Sequence, residues 1–186
     1  MGIQSGSAHI RKDVFHGYEK QEDIIRAARL LKESGVRWIS YDFMLQHPFE
    51  SDGDLLETFE LLKHFPTPFE LQLHGLNFLP GTDIVPLAVE NGILTEGELD
   101  KIMYAPMTEQ FGAYWKRDNE AMSQLIYELI YCQQFGPLRK KAAALAADPL
   151  NHQNKIHALY NRGRILYKLR HFARKADMVL QSKRME

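Results

Sequence analysis

The hydrophobic period of the chain switches back and forth between Gln21 and Gly92, and that alternation restricts the fold more than any other feature. Ile24, Ile25, Ala28, Leu30 and Leu31 recur at helical spacing, and Gly35 is placed to end that helix. Val36 to Leu45 is rich in β-branched and aromatic residues and reads as a strand. Asp54 to His64 is again amphipathic and helical, and Pro66 and Pro68 stop it. Phe69 to Phe78 reads as a second strand, Leu79 to Thr82 as a turn, and Asp83 to Glu90 as a short helix ending at Asn91-Gly92. Helices of this length between strands predict parallel strand-helix-strand units.

Parallel sheets of this type carry ligands at the C-terminal ends of their strands. The rule marks three places: Gln4 to Ser7, Gln46 to Glu50, and Leu79 to Thr82. Beyond Glu96 the pattern is helical throughout. Helices are predicted over Asp118–Gln134 and Leu138–Ala147, and one or two more between Asn151 and about Lys183. The glycine-bearing turn Gly2 to Ser7 reads as the end of a strand with almost no residues before it. The expectation is therefore a piece of a longer protein.

Charge divides the 186 residues. Residues 1–136 carry 11 Lys and Arg against 21 Asp and Glu, whereas residues 137–186 carry 12 against 3. The boundary falls near Phe135-Gly136-Pro137. Three segments are expected: 1–95 as the α/β part, 96–136 as a helical cover, and 137–186 as a basic helical extension. In the extension Tyr160, Tyr167 and Phe172 are interleaved with Arg162, Arg164, Lys168, Arg170, Arg174 and Lys175. Basic residues among aromatics can grip nucleic acid. Docking on the acidic first segment, or plain solvation, is the favoured reading, because no nucleic-acid-binding motif accompanies them.

No run approaches the roughly 20 apolar residues of a membrane helix, and Met1 to Lys12 has no apolar core of a signal peptide. With a single cysteine, Cys132, neither an intrachain disulfide nor a cysteine-held metal cluster is available to this chain alone. The cytoplasm is the expected location, and Cys132 is expected to be a buried small hydrophobe. The eight histidines lack metal-ligand spacing, so no metal site is assigned. His47, in a rim loop, and His74, on a strand, are the two worth following.

Taken singly, the turns and loops say little. Together they say more. The series Gly2-Ile3-Gln4-Ser5-Gly6-Ser7, then Tyr41-Asp42-Phe43-Met44-Leu45-Gln46-His47-Pro48-Phe49-Glu50-Ser51, then Glu57-Thr58-Phe59-Glu60-Leu61-Leu62, then Leu76-Asn77-Phe78-Leu79-Pro80-Gly81-Thr82 resembles the second half of a radical S-adenosylmethionine (SAM) enzyme barrel. It looks most like the cobalamin-associated branch, whose members include oxidative cyclases and methyltransferases. The resemblance covers about Gly2 to Gly92.

The resemblance implies an α/β fold: a partial (β/α) TIM-type barrel of parallel strands followed by a helical C-terminal extension. It implies SAM and a 4Fe-4S cluster as cofactors, and the branch suggests cobalamin in a further N-terminal domain. It places Gln4, Ser5 and Ser7 beside the SAM ribose and methionine part, and Met44 and Gln46 beside the adenine. Glu50 becomes the loop-bracing carboxylate, set beside a helix start that it could also cap, while Leu79 and Pro80 close the far side. No catalytic residue is assigned.

The family's three-cysteine cluster loop belongs to a first half not found in this sequence. Gly17 stands where relatives often have arginine, and Gln46 and His47 also depart from the pattern. The implied partner is the missing first half of the barrel. This chain alone is expected to be inactive. The implied reactions are methyl transfer to an unactivated carbon, or oxidative ring formation on a porphyrin-like, lipid or peptide substrate. A tRNA methylthiotransferase and a non-catalytic helical module that binds nucleic acid are the alternatives.

Overall fold

The computed structural model describes residues 1–110 and 121–182. Three parallel strands form one sheet in the order β1 (Gly2–Gln4), β2 (Ser40–Met44), β3 (Glu70–His74). A π-helical turn (Ile10–Val14) and α1 (Gln21–Glu33) connect β1 to β2, and α2 (Asp52–Lys63) connects β2 to β3. Then come α3 (Ile84–Glu90), α4 (Glu96–Tyr104), α5 (Met107–Gln110), α6 (Ala121–Cys132), α7 (Gly136–Leu145) and α8 (Gln153–Ser182). The predicted strand-helix-strand order is present, with shorter strands. Gly35 takes a left-handed turn, and Val36 and Trp38 stay partly exposed, so β2 begins only where the chain reaches the core at Ile39. Residues 118–120, the expected start of α6, and Lys183 lie outside the described residues.

The expected partial TIM-type barrel is not what forms. Among the described residues there is no fourth strand, and the outer edge at the start of β3 is already occupied. In a parallel ladder alternate residues point their backbone groups to opposite edges. Glu70 N–H donates inward to Ile39 O at 2.8 Å, so Phe69 and Leu71 point outward. Leu71 N–H donates to Gln134 Oε1 at 3.4 Å, and Phe69 O accepts from Arg170. Side chains from the helical half thus occupy the groups a next strand would need.

The core lies on one face of the sheet. Tyr41, Phe43 and Leu71 point into it, where they meet Leu55, Phe59 and Leu62 of α2 and Leu125, Ile126 and Leu129 of α6. Ile156 and Leu159 of α8 and Ala142 of α7 belong to the same cluster. The expected segments 1–95 and 137–186 therefore contribute to one core. Arg139 ties them further: its guanidinium donates to Gln133 O (2.8 Å) and Phe65 O (2.7 Å), and lies over the Phe69 ring.

Gly6 is fixed by a close approach. Its N–H donates to Thr58 Oγ1 at 2.9 Å, and a Cβ there would lie 2.2 Å from Thr58 Cα. Two backbones cannot part by that much without separating β1 from α2. Gly6→Ala is therefore expected to cost about 3 kcal/mol, read as a lower urea midpoint. An unchanged midpoint would show that this contact is absent in solution.

Candidate functional site

The strands' C-terminal ends carry the candidate site. β1 ends at Gln4 with φ of 69°, and Gln46, two residues beyond β2, has φ of 58°. Left-handed backbone is uncommon outside glycine and costs about 1–2 kcal/mol per residue. Such strain persists where the surroundings over-determine the geometry. For Gln46 those surroundings are visible. Its N–H donates to Glu50 Oε2 at 2.7 Å, and its side-chain amide donates to Gln124 Oε1 at 3.4 Å. Gln124 donates in turn to the buried Glu128, which holds His157 Nδ1 at 2.6 Å. Sequence reasoning passed over Gln124 and Glu128, since a carboxylate within an apolar helix is the one signal they offer.

Glu50 is buried and braces the loop through the Gln46 N–H. Ser51 caps α2. Its hydroxyl accepts from Asp54 N–H, while Asp54 Oδ2 accepts from Ser51 N–H at 2.8 Å. Burial works to raise the Asp54 pKa, but the hydrogen bonds from Ser51, with the Ser7 hydroxyl close by, outweigh it and hold the carboxyl below its ordinary value.

Ser5 and Ser7 are fully enclosed. Ser5 Oγ accepts from Ser7 N–H at 3.1 Å, and Ser5 O accepts from the buried Arg11 at 2.9 Å. The polar turn thus folds down onto α2 rather than facing outward. Leu79 is half-buried and Pro80 exposed. Leu79 O accepts from Thr82 N–H and Oγ1, which closes their own turn.

A second apolar cluster covers the rim. Phe15 and His47 meet edge to face with centroids 5.5 Å apart, His47 lies 6.2 Å from Phe49, and Phe49 lies 6.2 Å from Phe78. Met44 packs against this group. His47, expected in a rim loop, is buried among phenylalanines.

The sheet's other face is more open. Strand alternation places Ser40, Asp42 and Met44 there, beside Glu70, Gln72 and His74. His74 Nε2 lies 4.0 Å from Asp42 Oδ1, with both side chains about half exposed. A cleft of about 600 Å³ runs along the outer edge of β1, lined by Gln4, Arg11, Phe15, Glu19, Asp23 and Ile24 among others. Gln4 and Phe15 join this cleft to the rim. Among the described residues no group of three or more His, Cys, Asp or Glu is placed to hold a metal ion. Cys132 is buried, and burial, helped by Glu128, pushes its thiol up to about 12.

No model of a known protein family matches the chain. Over 100 residues, 53% of its length, the chain is 36% identical to a tRNA-2-methylthio-N(6)-dimethylallyladenosine synthase of Campylobacter hominis. The match covers 22% of that protein, so the chain spans about a fifth of its relative's length. Nothing in this likeness supports the cobalamin-associated branch or a cobalamin domain. Among the described residues no helix is long and apolar enough to cross a membrane.

Two predictions follow from the loop and the cap. Glu50→Ala is expected to cost about 2 kcal/mol by leaving the strained Gln46 without its anchor, while Gln46→Gly should be neutral or up to about 1 kcal/mol stabilising. Urea unfolding separates them, and equal losses would mean that Gln46 is not strained. The Asp54 carboxyl has a depressed folded-state pKa. Its contribution is therefore complete above the ordinary carboxylate value of about 4 and is lost as pH falls through the lower folded value. The stability of Asp54→Asn should accordingly fall less steeply below about pH 4 than that of the wild type.

Proposed function

We propose that this chain forms part of a radical SAM enzyme and supplies residues that hold SAM. The observation that carries the reading is the rim itself. Two adjacent parallel strands lead into non-glycine residues in left-handed backbone, the second anchored by a buried carboxylate, at the strand ends where parallel sheets bind ligands. The motif series and the 100-residue likeness support the same superfamily, since methylthiolation of tRNA adenosine is a radical SAM reaction.

The fit of the cofactors differs. For SAM, Gln4, Met44 and Gln46 are partly exposed at the rim and can offer polar and apolar contacts to a ligand. Ser5 and Ser7 act indirectly by fixing the turn that presents Gln4. Glu50 holds the Gln46 N–H, and Leu79 with Pro80 borders the site beyond β3. Phe15, His47, Phe49 and Phe78 keep water from the strand ends. The cluster does not fit this chain: one buried, fully protonated thiol cannot replace three thiolates. Its ligands belong to another part of the parent protein. SAM bound beside a reduced cluster supplies a deoxyadenosyl radical that abstracts hydrogen from substrate.

For the parent enzyme's substrate, the relative's name favours tRNA and methylthiolation. Methyl transfer to an unactivated carbon and oxidative ring formation gain no comparable support. A separate nucleic-acid-binding module is disfavoured, because α7 and α8 share the core of the sheet.

Two measurements test the reading. After iron-sulfur reconstitution the isolated chain should retain no 4Fe-4S absorbance, and recovery of about four irons per chain would contradict the assignment of ligands elsewhere. In the complete enzyme, Glu50→Ala should weaken SAM binding by about tenfold, or about 1.4 kcal/mol, with turnover retained at saturating SAM. Unchanged affinity with lost turnover would give Glu50 a chemical role instead.

A further inference from the structure

Helix α8 is 30 residues long and about 45 Å from end to end. Ile156, Leu159 and Gly163 mark the face that packs on the body. The opposite face is also apolar. Ile165, Leu169 and Phe172 are 60%, 60% and 70% exposed, with exposed Ala176 one step further. Their spacing of four, three and four residues gathers them within about 60° of arc. That is the narrow seam of a helix-helix contact, not the broad apolar face with which a helix lies in a lipid surface.

The charges nearest the seam are cationic, and Asp177, as far from it on one side as Arg164 on the other, is paired with Arg37 at 2.6 Å. Lys168, Lys175 and Arg164 line one flank and Arg162 the other, all exposed. None of the ion pairs among the described residues involves Arg162, Lys168 or Lys175. The neighbouring cations on the packed side are engaged: Arg174 reaches Glu70 at 3.1 Å, and Arg170 reaches backbone carbonyls. A second copy of α8, antiparallel across the seam, would set Lys168 near Lys175. Like charges at flanking positions oppose such pairing, whereas opposite charges select the partner. RNA would satisfy the cations and leave three large apolar side chains in water.

We propose that the outer face of α8 docks an amphipathic helix of a partner protein, with apolar residues at matching four-three spacing and Asp or Glu on its flanks. The surface is independent of the rim and stands whether or not the SAM reading holds. The contact is a helix-on-helix seam: Ile165, Leu169 and Phe172 supply burial, while Lys168 and Lys175 set orientation and partner choice.

The test uses the full chain and a synthetic 21-residue helical peptide with leucine at the seam positions and glutamate on both flanks. Fluorescence anisotropy should show binding that weakens with salt. Leu169→Asp with Phe172→Asp should reduce affinity at least tenfold, and circular dichroism should show an unchanged fold, since both side chains are exposed. Lys168→Glu with Lys175→Glu should lose the acidic peptide and gain a peptide of the same seam with lysine flanks. Three results would overturn the proposal. The acidic peptide and a scrambled-seam peptide of equal charge bind alike; or sedimentation shows the chain dimerising through Leu169 and Phe172; or the chain binds phosphatidylglycerol vesicles or a transfer RNA but not the peptide.

Discussion

A parallel sheet of three strands exposes two edges and two faces, and the closure of the β3 edge at its start sets the arrangement of the rest. Gln134 and Arg170 supply the hydrogen bonds that a fourth strand would have made to Leu71 and Phe69. Because they come from the end of α6 and from α8, closing the edge brings the helical half against the sheet. Leu125, Ile126 and Leu129 then complete the core over Tyr41 and Phe43. Arg139 does the same for the carbonyls at the end of α2. A guanidinium suits this work, since its planar set of donors can serve carbonyls from several elements while its face rests on an aromatic ring.

The rim depends on that packing. Gln46 sits in left-handed backbone because Glu50 holds its N–H from one side and Gln124, on α6, takes its side chain from the other. The chain of contacts continues through Glu128 to His157 on α8. The geometry at a strand end is thus tied to helices distant in sequence. The turn at Gly6 is tied to α2 in the same way, by an approach too close for any side chain.

The charge asymmetry has a partial structural answer. Arg174 pairs with Glu70 and Arg37 with Asp177, and Arg170 serves carbonyls, so one face of the basic helix is spent on the acidic half of the chain. The opposite face keeps its cations and its apolar seam in solvent. One helix therefore carries two amphipathic faces, which averaging over its composition conceals.

The sequence by itself determined the strand-helix-strand order and where β2 ends, whereas β3 stops at His74, four residues short of the expected Phe78. The order follows from local causes: period, capping residues and prolines, as Gly35, Pro66 and the paired Asn91-Gly92 show. It also determined that a lone Cys132 would be buried and unable to hold a cluster. The barrel expectation failed because edge pairing is decided by groups far apart in the chain, and nothing local announces that Gln134 and Arg170 will satisfy β3. For the same reason nothing local in the Gly2–Ser7 turn, which the resemblance set beside SAM, shows that burial against α2 encloses Ser5 and Ser7. It also left Gln124 and Glu128 unread. Only tertiary structure decided which polar side chains face solvent and which serve backbone, because that choice is made by neighbours brought together on folding.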